Sequence, residues 1–456
     1  MWKKVDVLLV MTFLIGVPQV RGFTTDKIVR STDSIMQVVH IPKDAILTDF
    51  MGDDIVNTHY IIQHEHIINK ASETLTIGNN CILEFEDGSL NSGRLKCSSI
   101  VIKGKNPTFV DTYIEISDAD CVVIKNVSAK YSFAVDDFVR IKNSQNIVVD
   151  AVKVEFDEGN KQLPNGVYIE AEGFDLTNCE NVSFVNSSII NSKSHYIDSN
   201  HGSLICKNCS NIVLDGCFSS GGHNETFNFI GCEKVTIKNT LIEGGCGSAI
   251  ATQGGEDFTI DNCKSYNVGA SGFSFNSRKI RIKNCIAKDW HVFNGITLGH
   301  PADNMQADDI IVTDCEMILT NNIDSHRKCA LGGVIDGHVV VVNCKMKISR
   351  LCSFDGNRNS KAVSLTFVNN DIVFFAGDSF ANFFRASNIY NLEISENTFT
   401  GNAVIPLLGF SVKDLQAGTR KMIIRNNVFK GGADIKDKIE LKYVKNVVFE
   451  GNLKEE

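Results

Sequence analysis

Positive charge is in short supply. The chain of 456 residues carries 45 Lys+Arg against 54 Asp+Glu, a formal charge of −9. Nothing in that balance offsets phosphate repulsion, which excludes a general nucleic-acid binder. Beyond the N-terminus no uninterrupted apolar run approaches the roughly 18 residues of a membrane-crossing helix. Proline numbers 6 and tryptophan 2, so little interrupts strands. Apolar residues themselves are not lacking: 43% hydrophobic against 22% charged excludes wholesale disorder. Cysteine is abundant, and its total of 15 is odd.

Lys3 and Lys4 precede the apolar run Leu8 to Val17, followed by Pro18 and the small residue Gly22. This order is that of a secretory signal peptide cleaved near Gly22. Residues 1–22 are therefore expected to be a signal peptide and the mature protein secreted or periplasmic, with no membrane span.

The strongest signal is an internal repeat. Its unit is a short alternating strand ending in Asn, Asp or Gly and often followed by Cys, Ser or Thr. Copies include Asn181-Val-Ser-Phe-Val-Asn186-Ser, Asn211-Ile-Val-Leu-Asp-Gly216-Cys, Asp257-Phe-Thr-Ile-Asp-Asn262-Cys and His338-Val-Val-Val-Val-Asn343-Cys. Weaker copies end at Asn126, Asn369, Glu396, Asn426 and Gly451, with a mean period of about 27 residues. Alternation with period two says strand, and each strand is too short to bury its apolar side alone. Stacking one copy on the next buries that side continuously. A second apolar strand recurs in most coils, as in Phe227-Asn-Phe229, Ile250-Ala-Thr252 and Phe273-Ser-Phe275. Two or three short strands plus turns per coil specify a parallel β-helix.

Two charge columns support this register. Asp215, Lys238, Asp261 and Lys283 occupy one repeat position, and Lys234, Asp257 and Lys279 another; stacked, each alternates in sign. Cys217, Cys263, Cys285, Cys315 and Cys344 share a position where other coils have Ser187 and Thr240. Side chains stacked in register point the same way, which disfavours bridging. Cysteine is thus expected as a small buried residue in columns, and the odd total needs no missing partner.

The repeat, over about residues 75 to 453, resembles secreted right-handed parallel β-helix proteins of the pectate-lyase-like superfamily. The opening stretches His59-Tyr-Ile-Ile-Gln-His64 and Cys81-Ile-Leu-Glu-Phe-Glu-Asp-Gly-Ser-Leu90 look like the first coils of such proteins from glycan-degrading bacteria. The resemblance implies an all-β right-handed parallel β-helix, a solenoid of about 13 or more coils over residues 75–456, with residues 23–74 as an N-terminal cap. It does not fix an activity. Four stretches are similar in shape to polygalacturonase motifs: Ser199-Asn-His-Gly202, His223-Asn-Glu-Thr226, Cys246-Gly-Ser248 and Phe273-Ser-Phe275. Of the acids such an enzyme needs, only Glu225 survives, so that mechanism is not retained. Arg281-Ile-Lys283 matches a fourth-motif string but belongs to the other strand, inside the charge columns.

If Phe227, Phe229, Phe273 and Phe275 are buried, then Ile205, Asn228, Ala251, Ser274 and Thr297 face out as a shallow track. Adjacent coils bring His201, His223 and Glu225 together, and with His291 they are the catalytic candidates. Tyr196, Asp198, Asn228, Gln253, Ser274, Asn276, Trp290, Asn294, His300 and Arg327 are candidates for holding substrate. Trp290 suits a sugar face, or equally the filling of a loop. Lyases of the superfamily neutralise a uronate with calcium or basic residues. Calcium is thus a candidate cofactor, with Asp303, Asp308 and Asp309 as potential contributors. The expected partner is a polysaccharide, uronic-acid-containing glycans included. The expected function is a polysaccharide lyase or glycoside hydrolase working in a groove along the coils. The rival expectation is a non-catalytic β-helix for glycan binding, adhesion or surface structure.

Overall fold

A computed structural model describes residues 36–455 apart from 69–73, 106–107, 133–136, 158–172, 192–201, 222–224, 300–306, 321–328, 349, 357–362, 375–383, 388, 402–420 and 432–445. The expected signal peptide lies outside the described residues. The chain divides into two compact units, Met1–Gln37 and Val38–Glu456, and the fold is that of the second.

Among the described residues 42 strands and a single 3-10 turn, Leu47–Asp49, make up the secondary structure. The strands form three parallel ladders, each coil adding one rung. The first sheet runs from Thr58–Ile62 through Cys81–Glu86 to Asn446–Glu450. The second runs from Glu65–Ile67 to Leu453–Glu455, and the third from Thr74–Thr76 to Phe384–Ser387. This is the all-β parallel β-helix expected from the repeat. Within the segment assigned above to the cap, Gln37–Ile41 already pairs with Thr58–Ile62, and Ile41, Leu47 and Met51 are buried there.

The alternation explains the core. In Ser210–Asp215, Ile212 and Leu214 point inward; they register with Val235 and Ile237, then Phe258 and Ile260, then Ile280 and Ile282, all buried. Burying such a side chain contributes roughly 1.5–3 kcal/mol, and each gains its burial only from the rungs on either side. Phenylalanines add a stack through Phe85, Phe109, Phe138, Phe174 and Phe184, with successive centroids 5.0 to 6.0 Å apart.

From Asn126 onward the corner from first to second sheet places one residue at positive φ in each coil: Asn126, Asn186, Gly216, Asn239, Asn262, Asn284, Asp314, Asn343, Asn369, Glu396, Asn426 and Gly451. Asparagine tolerates this conformation, and its amide bonds to the coil before, as Asn262 Nδ2 does to Asn239 Oδ1 at 2.8 Å. Ala151, with φ 53°, fills the one corner the sequence pattern does not mark.

The next residue points inward and donates to a strand-end carbonyl. Ser187 and Thr240 do so to Val185 O and Lys238 O at 2.9 Å, and the Cys285 thiol does so to Lys283 O at 3.1 Å. The cysteine column is therefore a column of small buried donors, as expected. None of the 14 cysteines whose side chains are described forms a disulfide, and burial pushes the Cys217 thiol up to about 11.

The first charge column forms as expected, with Lys238 Nζ 3.0 Å from Asp215 and Lys283 Nζ 3.3 Å from Asp261. In the second, the strand-opening residues Lys234, Asp257 and Lys279 all have positive φ. That turn carries Lys279 Nζ to Glu256, at 3.0 Å. Arg281 belongs to the first sheet, as its place in the charge columns implied, and donates to Asp309 Oδ2 at 3.0 Å.

Candidate functional site

The outer face of the third sheet changes character along the stack. Its early rungs set Lys96, Glu115, Arg140 and Asp175 in register, a column of alternating sign. Arg140 Nη2 lies 2.7 Å from Asp137, and Lys207 Nζ lies 3.5 Å from Asp175. A shallow cleft here is lined by Arg94, Tyr113, Glu115, Asp137 and Arg140, with the Arg94 guanidinium 5.9 Å over the Tyr113 ring. Its charged walls are largely satisfied by each other.

From Ile205 onward the same column reads Ile205, Asn228, Ala251, Ser274, Thr297 and Gly332. The residues between them, including Phe227, Phe229, Phe273 and Phe275, are buried inward, so the sequence assigned the outward set correctly. These outward residues form a recessed floor. Asn228 is 6% exposed, Ala251 4%, Thr297 8%, and Asn276, two residues beyond Ser274, 8%. The equivalent outward residues of the first sheet, Thr236 and Thr259, are only half-buried.

Polar atoms on this floor are unevenly satisfied. The Thr297 hydroxyl meets Ser271 Oγ at 2.7 Å and accepts from Asn294 Nδ2 at 3.0 Å. Asn228 Oδ1 and Asn276 Oδ1 are buried with no hydrogen-bond partner. Gln253, in register with Asn276, and Ser274 are half-buried beside them. Glu225 lies at the edge where the chain enters Phe227–Ile230; the next residue, Thr226, donates its N–H to Ser248 O at 2.8 Å. Burial pushes the Glu225 carboxyl above the usual carboxylate range, a condition suited to an acid that must hold its proton near neutrality.

Of the candidates named from sequence, His201, His223, Tyr196, Asp198, His300 and Arg327 lie outside the described residues, as does Asp303. Asn228, Gln253, Ser274, Asn276 and Asn294 share the recessed face or its edge. His291 is exposed and precedes a strand three rungs beyond the one Glu225 precedes, a separation of about 14 Å along the stack. Glu225 and His291 are therefore not brought together, because stacking separates coils that sequence spacing alone cannot resolve.

Trp290 is not a sugar platform. It is 1% exposed, and its Nε1 donates to Phe293 O at 3.2 Å. The ring presented to solvent is Phe293, 49% exposed beside Val292 at 40%. Phe293 was missed because the run Trp290-His291-Val292-Phe293 follows no strand alternation; the signal available was that one turn cannot bury both large rings.

Among the described residues no group of three or more His, Cys, Asp or Glu could hold a metal ion. Asp309 is engaged with Arg281, so the described acids give calcium no ligand set. No helix is long and apolar enough to cross a membrane among the described residues.

No protein-family model matches the sequence, and no curated protein matches it. Solved structures do. The tailspike protein of E. coli bacteriophage HK620 in complex with a pentasaccharide is 9% identical, covers 91% of this chain and 76% of its own, and gives a TM-score of 0.44. A mutant of that tailspike gives 0.49. The catalytic domain of GH87 alpha-1,3-glucanase in complex with nigerose is 14% identical, covers 92% of this chain and 69% of its own, and gives 0.47. Similarity of this degree assigns no activity, and the chemistry rests on this chain's own residues.

Proposed function

We propose that this is an exported carbohydrate-active β-helix protein that holds a polysaccharide along the recessed track of the third sheet. The observation that carries the reading is the outward face of the third sheet, where Asn228, Ala251, Ser274 and Thr297 stack in register as a recessed floor of small and polar side chains with Gln253 half-buried beside it. A sugar laid on the track would meet the half-buried Gln253 and Ser274, whose side chains both donate and accept hydrogen bonds. Phe293 at the rim offers an exposed apolar ring for a sugar face.

Glu225, whose carboxyl burial pushes above the usual carboxylate range, would serve as general acid on a glycosidic oxygen. Hydrolysis needs a second carboxylate and elimination needs a base; His201 and His223 are the sequence's nearest offers on adjacent coils. A second reading, glycan binding without turnover, is favoured by one observation: Glu225 is the single carboxylate among the described residues of the track.

The test is to incubate the full chain with neutral and uronic polysaccharides and read retention and products together. Unsaturated products absorbing in the ultraviolet would mark a lyase, and new reducing ends without them a hydrolase. Under the catalytic reading Glu225→Gln lowers kcat by about a hundredfold or more and leaves binding intact. Retention without turnover selects the binding reading. No retention of any glycan sinks both.

A further inference from the structure

The track uses the third sheet; the outward face of the first sheet carries a different feature. We infer that two copies of this chain join there, side by side and antiparallel, about a two-fold axis at the rung of Val340 and Val342. One outward column of that sheet reads Lys125, Asp150, Val185, Asp215, Lys238, Asp261 and Lys283, with a charge at every rung but one. It then reads Thr313, Val342, Val368 and Ser395 before charge resumes at Arg425 and Glu450. The outward column beside it reads Ile311, Val340 and Thr366 over the first three of these rungs, between Arg281 and Glu393. The inward residues of the same strands, Ile310, Val312, Val339, Val341, Leu365 and Phe367, fill the core. The outward β-branched set is therefore not needed there, and it is half-buried rather than covered. Among the described strands, Asp308–Thr313, His338–Val342 and Ser364–Val368 pack chiefly on the rungs before and after them. An apolar window three rungs deep in a wall charged elsewhere is a surface suited to association.

The charges on either side of the window say what fits it. A two-fold axis lying across the stack reverses the order of rungs in the second copy and keeps each column opposite itself. Arg281, two rungs before Val340, then faces the partner's Glu393, two rungs after it. Asp261, three rungs before Val342, faces the partner's Arg425, three rungs after it. Lys238 faces the partner's Glu450, one rung further out on each side. All three pairings are opposite in sign, each occurs twice, and no like charges meet in these columns. Copies running parallel would instead exchange the two columns and set Arg281 against the partner's Lys283, so charge selects the antiparallel pair. Within one copy Arg281 and Arg425 each meet an acid at 3.0 Å, and a guanidinium has donors left for a second. From Lys238 to Glu450 the contact would span about 38 Å by about 17 Å, roughly 1,300 Å² over both copies, within the range of stable interfaces.

The experiment is sedimentation equilibrium of the full chain. It should show a monomer–dimer equilibrium with a midpoint below about 100 μM, weakened by added salt. Val342→Lys puts two like charges on the axis, in a column that already accepts Lys238 and Lys283, and should raise the dissociation constant about a hundredfold. Arg281→Glu sets an acid against the partner's Glu393, and Glu393→Arg sets a cation against the partner's Arg281; each alone should weaken the dimer about tenfold. Mixing these two variants makes both pairings opposite again, because one copy carries two acids and the other two cations. Heterodimer should then form at least as tightly as the native dimer. A folding defect would lower a variant's thermal midpoint and could not produce recovery on mixing. A monomer at every concentration, a trimer, or a dimer that Val342→Lys leaves unchanged overturns the inference. A mixture that associates no better than its parts overturns the antiparallel arrangement, and with it the assigned partner contacts.

Discussion

Asn370, Asn397 and Asn427 continue the inward column that cysteine occupies from Cys217 to Cys344, and they change its chemistry. Asn370 Nδ2 and backbone N–H both donate to Asn397 Oδ1 at 2.9 Å, and Asn397 does the same to Asn427 at 3.0 Å. Each amide also reaches a backbone carbonyl, as Asn397 Nδ2 does to Phe367 O at 3.1 Å. Replacing one member leaves two buried donors without an acceptor. Asn397→Leu should therefore cost about 2–4 kcal/mol, read as a lower urea midpoint with an unchanged slope. The sequence marks these residues only as more asparagine among turn asparagines. The cysteines mark the place one past the corner as inward; what the sequence does not show is that the amides there bond to one another from coil to coil.

Glu225 gives a second test by a single side chain. Its folded pKa lies above its unfolded value, so the protonated form is favoured by folding. That contribution is fully present below the unfolded pKa and is lost as pH rises through the folded one. Glu225→Gln, which cannot ionise, should match the native thermal midpoint near pH 4 and exceed it progressively toward pH 8. A constant difference across that range would show that the carboxyl is not desolvated.

The strands and their corners were the part most open to sequence reasoning. Alternation around Phe227, Phe229, Phe273 and Phe275 fixes which neighbours face out, and the third sheet obeys it. Corners were readable wherever Asn, Asp or Gly supplies the left-handed residue. Ala151 breaks that code because packing of the strands on either side imposes φ 53° on a residue that does not favour it. An L-residue in this region costs roughly 1–2 kcal/mol, so Ala151→Gly should stabilise the chain, by about 1 kcal/mol after the added freedom of the unfolded glycine. A thermal midpoint that falls would mean the Cβ of Ala151 is making contacts worth more than the strain. The track's recess was not readable, because it depends on how far segments rise beside the sheet. Strand periodicity carries no such information.

The solenoid as a whole is a sum of neighbours: each coil contacts the one before and the one after. In such a stack an internal coil is in principle removable, since the coils flanking it present equivalent faces. The first sheet's column of Asp215, Lys238, Asp261 and Lys283 adds a condition. Deleting residues 217–239 removes one coil and sets Asp215 against Asp261, two like charges. Deleting 217–262 removes two coils and sets Asp215 against Lys283, an attractive pair. The single deletion should therefore unfold at the lower temperature although it removes less chain, and added salt should narrow the gap. If the shorter chain proves the weaker at every salt concentration, the column is decoration on a wall that packing alone determines. A fold that counts its turns by sign can change length comfortably only in even steps.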